Sequence, residues 1–178
     1  MQISHAPHYG LCSNSIPDSR FEILIKATLS DILKARPLLL LGMGNPLRGD
    51  DAIGHLLAEE LELLNREGFQ AHAVGTAVEN AMRWVRVTAG GTLLLVDAVF
   101  DKTLAEGSWA FYPSEQLDSI CHSTHSIPLS MLISYWQIEV PALQVYFLGI
   151  SIRSNTDMAP LSPTLQQTLQ SLKSLFYK

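Results

Sequence analysis

Basic residues are few in this 178-residue chain, with 12 Lys and Arg against 17 Asp and Glu and a net charge of −5. They are scattered along the sequence, so a general affinity for nucleic acid, which needs a concentrated positive surface, is not expected. Cysteine is scarcer still. Cys12 and Cys121 form no C-x-x-C pair, which favours free cytosolic thiols over a disulfide framework. No apolar run nears the roughly 20 residues that cross a bilayer. The opening MQISHAPHYG has no basic stretch ahead of an apolar core, so neither membrane insertion nor a secretion signal is expected. What is left is a cytoplasmic globular protein, long enough for one sizeable core.

Two nucleotide signatures are also missing. In G-x-G-x-x-G terms, Gly42 and Gly44 are followed by Leu47 where the third glycine belongs. Asp50 and Asp51 stand where a pyrophosphate would lie, and two negative charges there would repel it. Neither G-x-x-x-x-G-K nor the G-x-S-x-G elbow occurs. A nucleotide cofactor is not expected.

What is present begins with LLLLGMGNPLRGDDAIG, Leu38 to Gly54. A four-leucine run reads as a buried strand, Gly42, Gly44, Asn45 and Pro46 break it, and an acidic pair precedes a helix. Open α/β sheets present reactive groups in this way, at the carboxyl end of a strand. Ile53, Leu56, Leu57, Leu61 and Leu64 recur at helical spacing, giving a helix to about Glu67 that Gly68 stops. Phe69 to Gly75 alternates as a second strand, and Glu79 to Val87 forms a second helix. Thr92 to Val99, TLLLVDAV, is a central buried strand with one charge, Asp97. Trp109 to Tyr112 follows too soon for a parallel crossover, which needs a dozen or more residues, so it is antiparallel or at an edge. Ser114 to Leu117 turns briefly. A helix runs from Ile127 to about Ile138 with Pro128 in its first turn, a strand from Leu143 to Ile150, and an amphipathic helix from about Ser162. Its Leu165, Leu169, Leu172 and Phe176 face inward.

The fold class is therefore α/β, a three-layer sandwich with a twisted sheet of about five strands, mostly parallel, one antiparallel, and helices on both faces. Residues 1–36 form an N-terminal extension, irregular at first and then one helix from Phe21 to about Ala35; residues 37–178 form the domain.

Asp50 and Asp51, Asp97, and His122 with His125 are the polar clusters beside strand ends and helix starts. If strand two lies beyond strand one, chain order reverses between strands one and three, and a crevice opens there. Asp51 and Asp97 would flank it, with the histidine segment within reach. Two carboxylates and an imidazole suit a divalent-metal site or carboxylate-led acid–base chemistry. A single Asp at a helix start more often caps it, and a lone loop histidine more often takes a hydrogen bond. Asp97 resists such a reading, because an unpaired carboxylate inside LLLVDAV would cost several kcal/mol. His5, His8, His55 and His72 have no evident partner. Nothing near Cys121 would depress its pKa, so it is not read as a nucleophile.

Taken together, GMGNPLRGDDAIG, LLLVDAV, STHSIPL and VYFLGI resemble the hydrogenase maturation endopeptidases. The resemblance runs from about Pro37 to Tyr177, and THSIPL followed by VYFLGI is most similar to the branch serving formate-hydrogenlyase-type hydrogenases. It implies a five-stranded sheet between helices, and an endopeptidase that removes a C-terminal extension from the precursor of a [NiFe]-hydrogenase large subunit after nickel insertion. By the same resemblance Asp51, Asp97 and His125 are the catalytic and metal-recognising residues, with nickel carried by the substrate. The Gly44–Asn45 turn would offer donors to a developing oxyanion, and Asp50 would be left as the helix cap. Two other functions fit the same residues: a nickel-sensing chaperone that does not cut, and an unrelated α/β hydrolase.

Overall fold

A computed structural model describes residues 29–64, 66–88, 90–120 and 127–177. From Leu38 onward the strands and α-helices follow one another as β1 (Leu38–Met43), α1 (Ile53–Glu62), β2 (Phe69–Gly75), α2 (Met82–Val87), β3 (Thr92–Val99), β4 (Trp109–Tyr112), α3 (Ser114–Ile120), α4 (Leu129–Glu139), β5 (Gln144–Ser151) and α5 (Pro163–Phe176). The sheet order is β2-β1-β3-β5-β4. Only β4 is antiparallel, against β5 at the sheet edge, as its short connection to β3 requires. The expected fold class holds.

All residues of β1 and β3 are buried, which is why these strands read as unbroken apolar runs and not as alternating ones. Alternation nevertheless sorts them into two layers. Leu38, Leu40, Leu94, Val96, Leu148 and Ile150 pack under α1 and α5, while Leu39, Leu41, Met43, Leu93, Leu95 and Phe147 pack against α2 and α4. Leu165, Leu169, Leu172 and Phe176 face the core as their spacing predicts. Of the N-terminal extension, residues 29–34 are helical and bury Leu29 and Ile32 in the first of these layers. Phe21, Leu24 and Ile25 lie outside the described residues.

Three boundaries differ from expectation. Helix α1 ends at Glu62, with Leu63 as its C-cap, and not near Glu67. The chain must turn here so that Gly68 O can accept from Leu38 N (2.8 Å) and Phe69 can start beside β1; the left-handed Gly68 (φ +69°) serves that turn, not the helix end. Pro128 is the N-cap of α4 and precedes its first turn. Ser114–Ile120 is a helix in its own right, two turns where a brief one was expected.

Candidate functional site

The crevice forms where β1 leaves the sheet. Strands β1 and β3 pair only as far as Gly42 and Val96. Asp97, the next residue, pairs with Gly149 of β5. Strand β2 lies outside β1, so chain order reverses between β1 and β3, and their carboxyl ends diverge at a switch point.

Glycines let the backbone close in around this point. A Cβ on Gly42 would stand 2.0 Å from Gly54 O, and a Cβ on Gly54 would stand 2.3 Å from Val96 O and 2.6 Å from Met43 O. The start of α1 is thus pressed onto the ends of β1 and β3, closer than any side chain permits. Gly44 adopts φ +112°, and its missing Cβ would lie 1.9 Å from Asp51 O and 3.6 Å from Asp97 Oδ1. The turn of Gly44 therefore lies against the backbone of Asp51 and beside the Asp97 carboxylate.

Asp51 belongs to a 3-10 turn, Gly49–Ala52, that leads into α1. Its Oδ2 accepts from Asn45 N (3.1 Å), so the loop from β1 closes onto the carboxylate. Asp97 is 5% exposed and accepts from Ala98 N through Oδ1 (2.8 Å). A buried carboxylate survives in a β-strand by such bonding. His125 and His122 lie outside the described residues, as does Cys121. The connection that carries them is fixed at both ends, since Asp118 of α3 accepts from Ser130 N of α4 (3.2 Å). Leu117 and Leu129, near its ends, are buried in the layer that holds Leu95 and Val99, the neighbours with which Asp97 shares a face.

Asp50 is not the cap of the helix it precedes. It is 4% exposed, and its Oδ1 accepts from Ser162 N (2.7 Å), the N-cap of α5. The neighbour of the site acid thus joins the first loop to the last helix across the molecule. The oxyanion expectation, backbone or amide donors from the Gly44–Asn45 turn, narrows to a side chain among the described residues. Asn45 N is engaged by Asp51, Gly44 N donates to Gly75 O (3.3 Å), and Asn45 Oδ1 accepts from Leu47 N (2.9 Å). Of this turn's amide groups, the side-chain Nδ2 of Asn45 is the remaining donor.

Two histidines passed over in the sequence have acidic neighbours. His55 Nε2 lies 3.2 Å from Glu59 Oε1, one helical turn away, a spacing the sequence does contain. Its Nδ1 is buried beside Gly75 and bonds none of the described residues. His72 Nδ1 lies 3.3 Å from Glu62 Oε1, and its ring stacks on Trp84 with centroids 4.3 Å apart. No spacing rule links these residues across separate elements. Among the described residues no three His, Cys, Asp or Glu side chains gather as a metal site.

No protein-family model matches the chain. Known proteins do. The hydrogenase 3 maturation protease of Escherichia coli K12 is 34% identical over 113 residues, which span 63% of this chain and 70% of that protein. The chain belongs to the hydrogenase maturation protease family. This maturation protease is a peptidase, and the hydrogenase 3 relative agrees with the formate-hydrogenlyase-type branch. The solution structure of the E. coli endopeptidase HycI superposes with a TM-score of 0.66 at 27% identity, covering 79% of this chain and 89% of that one. The crystal structure of a [NiFe] hydrogenase maturation protease HycI from Thermococcus kodakarensis shares the fold, with a TM-score of 0.71 at 21% identity over 85% of this chain and 99% of that one. No helix among the described residues of the maturation protease is long and apolar enough to cross a membrane.

Proposed function

We propose that this protease removes a C-terminal extension from the precursor of a [NiFe]-hydrogenase large subunit, and that Asp51, Asp97 and His125 meet the nickel that the substrate carries. One observation bears most of this reading: Asp51, in the 3-10 turn after β1, and Asp97, near the end of β3, flank a single glycine turn at the sheet's switch point. The relatives' names supply the substrate class.

Two carboxylates make an incomplete set for a divalent ion. An imidazole from His125 and ligands brought by the substrate would complete it, and hard and borderline donors of this kind suit nickel. The placement of α3 and α4 supports the histidine's part, because the helices on either side of it pack on the face toward which Asp97 alternates. Docking through the metal would hold the scissile amide against the crevice, converting an encounter into a positioned reaction. A carboxylate there accepts a proton from water as the water attacks the peptide carbonyl and returns it to the amide nitrogen as the C–N bond breaks, and Asn45 Nδ2 is the donor left in the turn to face the oxygen that becomes charged.

The test is a mass measurement on a nickel-loaded precursor. Asp51→Ala, Asp97→Ala and His125→Ala are each expected to slow removal of the tail by about 10²-fold or more. Wild-type rates in all three would overturn the assignment. Nickel-dependent association without any change in precursor mass would overturn the proteolytic reading itself.

A further inference from the structure

We infer that Leu47 and Met158 form a docking contact for apolar side chains of the precursor next to its scissile bond, an inference that rests on the precursor-processing reading above. Leu47 is 60% exposed and Met158 78% exposed. Scattered exposed apolar side chains are ordinary. These two are set apart by the backbone beneath them.

Leu47 crests a loop that closes on Asp51 from both sides. Asn45 N donates to Asp51 Oδ2, and Asp51 N donates to Arg48 O, each at 3.1 Å. Met158 comes from the loop after β5, and its N–H donates to Leu47 O at 2.7 Å. Arg48 Nε donates to Asp157 Oδ1 at 2.8 Å beside that bond. The far end of the second loop is anchored where Ser162 N meets Asp50. The backbones that carry these two exposed apolar side chains are thus tied to each other, on the loop that bonds Asp51.

Met158 also has φ +57°, the one non-glycine residue with positive φ among those described. A β-carbon disfavours that conformation. Such strain persists where surrounding structure enforces it, and it gathers at ligand-binding positions. Burial does not account for it here, since the Met158 side chain is exposed. Leucine beside a flexible thioether suits apolar partners of varied shape. The occupant we assign is the precursor segment entering the site, because the loop that presents Leu47 is the loop that holds Asp51.

The test places a photo-crosslinker on the full chain, as Met158→benzoylphenylalanine, with the nickel-loaded precursor as probe. A crosslink to residues flanking the cleavage site is expected. Crosslinking to a second copy of the chain, or none to the precursor, overturns the inference. Because crosslinking does not require cleavage, a labelled chain that crosslinks while the wild-type chain never trims the precursor would sink the proteolytic reading and leave this contact standing. In kinetics, the double variant L47S/M158S should raise KM about tenfold or more with kcat unchanged, whereas L47M/M158L keeps the wild-type KM. An unchanged KM in L47S/M158S overturns the inference. Met158→Gly relieves the backbone and should raise the melting temperature by about 2–4 °C while raising KM; a gain in melting temperature with KM unchanged would show that the strain serves no contact.

Discussion

One edge of the sheet is built on two plans. Toward β4 and β5 side chains tie the loops. Asp101 accepts from Thr103 N (2.8 Å) and Oγ1 (2.6 Å) and from Tyr112 OH (2.7 Å). Arg153 Nη1 donates to Asp101 O, to Ile152 O and to Ser151 Oγ. Toward β1 and β3 the spacing is set by glycines, and main-chain amides of Asn45 and Ala98 donate to the two acids. This knot of Asp101, Thr103, Tyr112 and Arg153 spends its polar groups on one another, which holds a loop in place. The crevice uses backbone to place its acids, and backbone cannot swing aside as a rotamer can. Catalytic groups need that second kind of support.

Matched glycine substitutions break the comparison most sharply. In Gly54→Ala the new methyl group meets Val96 O at 2.3 Å and Met43 O at 2.6 Å, both backbone. Either α1 lifts from the sheet or the strands separate, at a cost of about 1–3 kcal/mol or more. The acid-bearing turn goes with them. Gly149→Ala, on the knot side, meets Tyr112 Cε2 at 2.6 Å and Val99 Cγ1 at 2.8 Å, which are side-chain atoms. The Tyr112 ring can move, at the expense of its bond to Asp101. Chemical denaturation of both variants should rank Gly54→Ala as the more destabilised and the only one with strongly impaired precursor cleavage. Equal losses would mean that the crevice does not depend on backbone approach.

How far each region can be read from sequence follows from the same contrast. Continuous apolar runs identify β1 and β3 because both faces of these strands are covered, and a connection too short for a crossover identifies β4. Asp97 announces itself as a lone charge in a buried strand. The division between Asp50 and Asp51 is legible as a division, but the partner of Asp50 is not. Ser162 follows it by 112 positions, and no local pattern encodes a bond between a loop and a distant helix start. The tie of Arg48 to Asp157 is hidden for the same reason. Helix α1 ends early because the strand after it must reach β1, a tertiary demand that overrides its helical periodicity.

At Asp50 the crevice borrows the knot's method, and Asp50→Ala sharpens that exception. Ser162 N loses its acceptor at a site where the carboxylate is 4% exposed. Leaving a buried donor unpaired costs about 1–3 kcal/mol. For a chain of this size, each kcal/mol lowers the melting temperature by about 2–4 °C. Cleavage should persist in Asp50→Ala at temperatures where it is folded, unlike in Asp51→Ala. If Asp50→Ala keeps its melting temperature but stops cleaving, the roles of the two acids have been exchanged.

The smallest effect belongs to the knot and appears only in acid. Burial alone would raise the Asp101 carboxyl pKa, yet hydrogen bonds from Thr103 and Tyr112, with the charge of Arg153 nearby, hold it below the ordinary range. A carboxyl group whose folded pKa is depressed contributes stability that is fully present above its unfolded value of about 3.9 and is lost as pH falls through the lower folded value. Below roughly pH 5 the wild-type melting temperature should therefore fall with a component that Asp101→Asn lacks. The variant should be slightly less stable than wild type at the upper end, and the two curves should converge in acid. Half-exposure of Asp101 keeps the difference below that of Asp50→Ala. The crevice should not respond to this change, so cleavage near neutral pH is expected to match wild type. Parallel melting curves across that range would show that the knot's charge contributes nothing to its hold on the loop.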